Sequence, residues 1–196
     1  MSSGIRWCNG SCKHMRLKVE RPEESRVELE VHRAVQAWAP SRQRIGDWAR
    51  AALGARAPRG ELAVRIVGRA EGRRLNARWR GRDYATNVLA FPAPSAAPAA
   101  RAARAERRPL GDLVICAPVV AREAREQHKT LAAHWAHMVV HGTLHLAGYD
   151  HENDADARRM ERRERRVLAG LGFADPYREP AGEAPAAPSV RRRVAA

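Results

Sequence analysis

The 196-residue sequence has no apolar run long enough to cross a bilayer. Its longest aliphatic stretches, such as Leu113 to Ala117, fall far short of the roughly 20 residues a span requires. Nor does an apolar segment follow Arg6 and Lys13 at the N-terminus, so no secretory signal is expected and the chain is read as cytoplasmic. Cysteine is scarce: three residues, an odd number, argue against a disulfide framework in such a chain. Cys8 and Cys12 form a C-x3-C pair beside His14, but no further cluster completes four ligands, and no second metal site is assigned there. Cys116 lies in an apolar run and reads as a small core residue. Acidic residues are in deficit as well, 22 Asp+Glu against 36 Lys+Arg, for a net charge of +14. That excess favours a polyanionic partner, nucleic acid above all, because neutralised phosphates release counterions. Nearly all the basic residues are Arg in an Ala-rich chain, so part of the surplus reflects composition, and charge alone does not establish the partner.

At this length one domain with a proper core is expected. It is placed at residues 15–178, with 1–14 and the basic, Pro- and Ala-rich stretch 179–196 as disordered extensions. Ser41 to Leu53 reads as a helix capped by Ser41, with Ile45, Trp48 and Ala52 on one face and Gly54 closing it. Glu61 to Val67 alternates as a strand, and Glu71 to Trp79 reads as a short helix or turn before Gly81. Two apolar runs, Asn87 to Phe91 and Leu110 to Cys116, are strands on either side of a low-complexity loop, Ala93 to Pro109. Helices follow: Pro118 to Gln127, a second capped by Thr130, and Asp154 to Leu171. The last has Met160, Val167, Leu168 and Leu171 as its buried stripe, and the pairs Asp154–Arg158 and Glu161–Arg165 on its outer face. Strands preceding helices indicate an α+β fold, a small mixed β-sheet covered by helices.

The chemistry concentrates in His141-Gly-Thr-Leu-His145-Leu-Ala-Gly-Tyr-Asp-His151. His141 and His145 are four apart and therefore share one helix face. Gly148 ends or bends the helix, and the chain turns back to bring in His151 as a third ligand. Three neutral imidazoles suit a single zinc ion, other transition metals also accepting this set, and they leave a coordination position open for water as catalytic sites do. His137, His141 and His145 also fall at i, i+4, i+8, so helical spacing alone does not select the ligands; the Gly148 break followed by His151 does. His134 and His137 are read as supporting residues, and Asp150 as a group able to orient an imidazole. The H-x3-H-x5-H spacing is also that of the metzincin proteases, whose general base is a glutamate directly after the first histidine. Here that place is Gly142, which moves no proton.

HGTLHLAGYDH resembles the signature of the YbeY family of bacterial endoribonucleases. The resemblance extends to Leu75-Asn76, Arg80-Gly81-Arg82-Asp83-Tyr84, Thr86-Asn87-Val88-Leu89-Ala90-Phe91-Pro92, Leu110-Gly111-Asp112-Leu113-Val114-Ile115-Cys116 and the closing Leu171-Gly172-Phe173-Ala174-Asp175-Pro176-Tyr177. The departures are the Ala/Arg-rich loop, the extended termini, and Ala90 where a serine is usual. The resemblance implies zinc on His141, His145 and His151, with Arg80 in the cleft contributing to catalysis. It implies single-stranded ribosomal RNA as substrate, in small-subunit 3′-end maturation and ribosome quality control, with the ribosome or its assembly proteins as partners. Two rivals stay open: a zinc peptidase, and a non-catalytic RNA-binding assembly factor with a structural metal. RNA cleavage rests on the resemblance; the residues themselves support a hydrolytic metal site in a basic protein.

Overall fold

A computed structural model describes residues 27–54, 60–94 and 108–178. Cys8, Cys12, His14, most of the Ala93 to Pro109 loop and the stretch from Glu179 onward lie outside the described residues. The elements run β1 (Val27–Arg33), α1 (Arg42–Leu53), β2 (Gly60–Val67), α2 (Arg69–Arg80), β3 (Val88–Pro92), β4 (Arg108–Cys116), α3 (Ala117–Glu126), α4 (Leu131–Leu146) and α5 (Asp154–Gly170). The α+β expectation holds, and the sheet is mixed. Its order is β1-β2-β4-β3, with β1 parallel to β2, β2 parallel to β4, and β3 antiparallel to β4.

Two elements differ from the sequence-based expectation. No strand was expected at β1, although Val27 and Leu29 are buried while Glu28 and Glu30 are exposed. The alternation lasts four residues before the polar His32 and Arg33 obscure it. The segment expected as a short helix or turn is a full 12-residue helix, α2, closed by Gly81 in the left-handed conformation at φ 67°. Elsewhere the caps act where expected: Ser41 accepts from the Arg44 N–H and Thr130 from the Ala133 N–H.

The alternation of the strands divides the core in two. Leu62, Val64, Ile66, Leu113 and Ile115 face one way and pack with Ile45 and Trp48 of α1, Trp135 and Val139 of α4, and Met160 and Leu168 of α5. Full burial of one such side chain contributes about 1.5–3 kcal/mol. Val67, Leu89, Val114 and Cys116 face the other way, against Leu75 of α2 and Val119 of α3. Cys116 is thus a buried core residue, and burial pushes its thiol above the ordinary value.

Two local features hold the layers in register. Between Glu61 and Leu62 the pairing with β4 slips by one residue, so Pro109 is followed by Gly111 in the ladder. Gly111 has φ 128°, and a Cβ there would stand 2.2 Å from the Phe91 carbonyl oxygen. Glu123 of α3 accepts hydrogen bonds from the Asn87 side-chain amide and from His134 Nε2, each at 3.0 Å, tying α3 to α4 and to the entry of β3. Burial pushes the Glu123 carboxyl up, but these two donors, helped by the charge of Arg122, hold it below the ordinary value of 4.5.

Gly111→Ala combines left-handed strain with overpacking, and equilibrium urea unfolding should show a loss of about 2–5 kcal/mol. A loss below half a kilocalorie would contradict the close approach. A depressed carboxyl stabilises the fold above its unfolded value and loses that contribution as pH falls through its folded one. Glu123→Gln should therefore cost about 1–3 kcal/mol at pH 7. The gap to wild type should narrow once pH drops below 4.5. A gap independent of pH would show that the charge of Glu123 is not what stabilises.

Candidate metal centre

The site is built on the face of α4 that the sheet does not cover. Trp135, Met138, Val139 and Gly142 of this helix are buried. A Cβ on Gly142 would meet Leu113 Cδ2 at 2.8 Å and Val88 Cγ2 at 3.2 Å, so the helix lies hard against β3 and β4. The next row of positions along the helix is His134, His137, His141 and His145, with ring centroids 6.2, 6.1 and 4.7 Å apart in succession.

α4 then stops. Gly148 adopts φ 86°, and the Gly148 and Tyr149 N–H groups return to the carbonyls of His145 and Leu144. This reversal carries His151 back, with its ring 4.9 Å from His145 and 5.8 Å from His141. One nitrogen from each of His141, His145 and His151 falls within 4.8 Å of the others, two of the residues half-buried and His151 exposed. Asp150 does not orient an imidazole through any hydrogen bond; its Oδ1 accepts the His151 backbone N–H at 2.7 Å, so its role is to shape the turn.

The donor set fits a transition metal. His141 Nε2 and His145 Nε2 are 3.2 Å apart, and two nitrogens at 2.0–2.1 Å from one tetrahedral zinc are about 3.3 Å apart. Burial, and after it the neighbouring His141 and His151, push the His145 imidazole below its ordinary value, which favours the neutral form a ligand needs. Behind His141 stands Glu164 of α5, fully buried, with Oε1 2.8 Å from His141 Nδ1. Its other oxygen meets His137 Nε2 at 3.3 Å and the Tyr177 hydroxyl. Burial pushes the Glu164 carboxyl up, but the bonds from His137, His141 and Tyr177 outweigh it and hold the group down to about 2. Tyr177 responds oppositely, raised by burial and by its bond to Glu164. Burial also lowers His137, against the pull of Glu164.

His137, His141 and Glu164 also fall within 4.8 Å of one another. Both carboxylate oxygens in that group are occupied by hydrogen-bond donors, which makes it a support for the histidines rather than a competing ion site. His134 is buried on Glu123. Glu164 was missed at the sequence level because it stands among arginines in Arg162-Arg163-Glu164-Arg165-Arg166. A signal was present: it lies four residues after Met160 and three before Val167, inside the buried stripe of α5. On the outer face of that helix the Glu161–Arg165 pair forms at 3.3 Å.

Arg80 ends α2, which packs against the opposite face of the sheet from α4. The residue is exposed and, among the described residues, makes no hydrogen bond or ion pair. Other exposed arginines of the same segment have partners: Arg73 is engaged by Asp83 at 2.6 and 2.5 Å, Arg78 lies over Trp79, and Arg82 donates to the Tyr84 hydroxyl. No helix among the described residues is long and apolar enough to cross a membrane.

Comparison with known proteins places these features in a family. The family model described as endoribonuclease YbeY matches residues 24–172. A protein of Halorhodospira halophila named endoribonuclease YbeY is 54% identical over 79% of this chain and 99% of its own. Those of Alkalilimnicola ehrlichii and Xanthomonas axonopodis, with the same name, are 57% and 53% identical over 78% of this chain and 92% and 94% of theirs. Among solved structures, the solution structure of TM1509 from Thermotoga maritima covers 78% of this chain and 99% of that one, at 21% identity and a TM-score of 0.42, too low to add to the fold. The matched span includes the sheet, the three histidines and Glu164, and the chain belongs to the YbeY endoribonuclease family.

Proposed function

We propose that this protein is a metal-dependent endoribonuclease that cuts single-stranded RNA in ribosomal RNA maturation, with zinc held by His141, His145 and His151. The observation that carries the reading is the convergence of three imidazole nitrogens at metal-ligand spacing, one of them backed by a buried carboxylate. The relatives' shared name supports the substrate class, and the net charge of +14 supports a polyanion. The ribosome or its assembly proteins as partners, processing at the small-subunit 3′ end, a part in ribosome quality control and a cytoplasmic location belong to the same reading.

When bound, a zinc ion supplies Lewis acidity toward a water molecule or a phosphoryl oxygen. The protein contributes an exposed rim at His151, where substrate approaches, and a rigid back wall at Glu164. Glu164 is not a general base for the reaction: it is fully buried, lies behind His141, and both its oxygens are hydrogen-bonded. With Gly142 where a zincin has its glutamate, the RNA 2′-hydroxyl fits the role of nucleophile. Arg80, whose guanidinium is unpaired among the described residues, is assigned to the phosphate backbone, where it neutralises charge in the transition state. The peptidase alternative loses further ground, because the Cβ direction of Gly142 runs into Leu113 and Val88 rather than toward the histidines. A glutamate there would be buried in the core.

The test is a cleavage assay on a single-stranded RNA and its duplex. Wild type should cut the single strand and spare the duplex. His141→Ala should slow cleavage by about 100-fold or more. Arg80→Glu should slow it by about 10- to 1,000-fold while the metal content stays as in wild type. Undiminished cleavage by both variants would refute the site.

A further inference from the structure

We infer that Glu164 is a positioning residue for His141, fixing the tautomer and direction of that imidazole and thereby setting how tightly the three histidines hold an ion. The inference rests on the metal reading above and concerns residues that make no direct contact with substrate.

A carboxylate with no solvent exposure is costly unless its oxygens are satisfied, and here three donors from two segments converge on it. His141 stands alone on Oε1 at 2.8 Å, while His137 Nε2 and the Tyr177 hydroxyl share Oε2. An ionised carboxylate only accepts hydrogen bonds, so His141 carries its proton on Nδ1. In the neutral ring this leaves the Nε2 lone pair directed at His145 Nε2, 3.2 Å away, where the nitrogens converge. The other tautomer would turn an N–H toward that point. Glu164 removes this choice, and its negative charge makes the ligand nitrogen more basic. His137 and Tyr177 hold the carboxylate in place: the Tyr177 ring lies 5.5 Å from His137, with the Arg165 guanidinium 4.9 Å from its centre. The acid nearest the other end of the motif does not substitute for Glu164, since Asp150 is committed to the His151 backbone.

A purely structural Glu164, joining α4, α5 and the C-terminal turn, would affect the stability of the metal-free protein and leave its affinity for metal alone. Glu164→Gln keeps the shape and removes the charge. Zinc affinity is measured by competition with a chromophoric chelator, unfolding by urea on metal-free protein, and the His141 tautomer by long-range 15N–1H NMR. The expected result is a metal-free variant that still folds, binds zinc about 10- to 100-fold more weakly than wild type, and no longer holds His141 solely as Nδ1–H. Equal zinc affinity with reduced stability would overturn the positioning role while leaving the metal site standing. Wild type that takes up no zinc would overturn both. If Glu164→Gln does not fold, Glu164→Asp serves instead: it keeps the charge but withdraws it from His141. It should also bind zinc more weakly, and unchanged affinity there overturns the inference.

Discussion

A helix that carries four histidines along one face and packs its next face hard against a sheet meets a constraint that shapes much of this molecule. Buried imidazole nitrogens need partners, and the apolar sheet offers none. Two acids from elsewhere in the chain supply one partner each to three of the histidines. Glu123 on α3 serves His134, and Glu164 on α5 serves His137 and His141. Nδ1 of His134 and Nδ1 of His137 stay buried without a hydrogen-bond partner, while one nitrogen each from His141, His145 and His151 comes together at the open end of the helix. Of these bonds, the one from Glu164 to His141 Nδ1 leaves that ring's Nε2 facing His145. Gly142 completes the arrangement by allowing the helix to sit close on β3 and β4, which brings the histidine row within reach of α3 and α5.

The histidines were legible in the sequence because their geometry is local. Four-residue spacing on a helix and a glycine that reverses the chain fix the relation of His141, His145 and His151 without help from the rest of the fold. The α+β class was legible for a similar reason, as most of the strands and helices carried a local pattern of their own. What escaped depends on distant contacts. Glu164 looks like one more charge in an arginine-rich helix until its place within the apolar stripe is weighed. Glu123 and Asn87 are 36 residues apart and meet only through the sheet. β1 escaped because its alternation is short. Asp150 was read as able to orient an imidazole, and its Oδ1 instead accepts the adjacent His151 backbone N–H.

Arg80 marks the boundary between what the residues show and what the family contributes. Its exposure and lack of acid partners suit a phosphate contact, but several nearby arginines are exposed too, and the motif around it is what singles it out. The three-histidine cluster rests on the chain's own geometry instead, with His141 and His145 nitrogens 3.2 Å apart and Glu164 against His141. Gly142 separates this centre from the peptidases with the same histidine spacing, since the position that would hold their base faces the core. On the proposed reading, a metal held by these histidines would serve hydrolysis or transfer, and an RNA substrate would bring its own 2′-hydroxyl.

The claim on which all of this turns is that His141, His145 and His151 hold one ion together. Metal content by mass spectrometry, on wild type and on His151→Ala purified identically, tests it most directly. The account predicts close to a single transition-metal ion per chain in the wild type and a large loss in the variant, with both proteins folded. Equal metal in the two would contradict it.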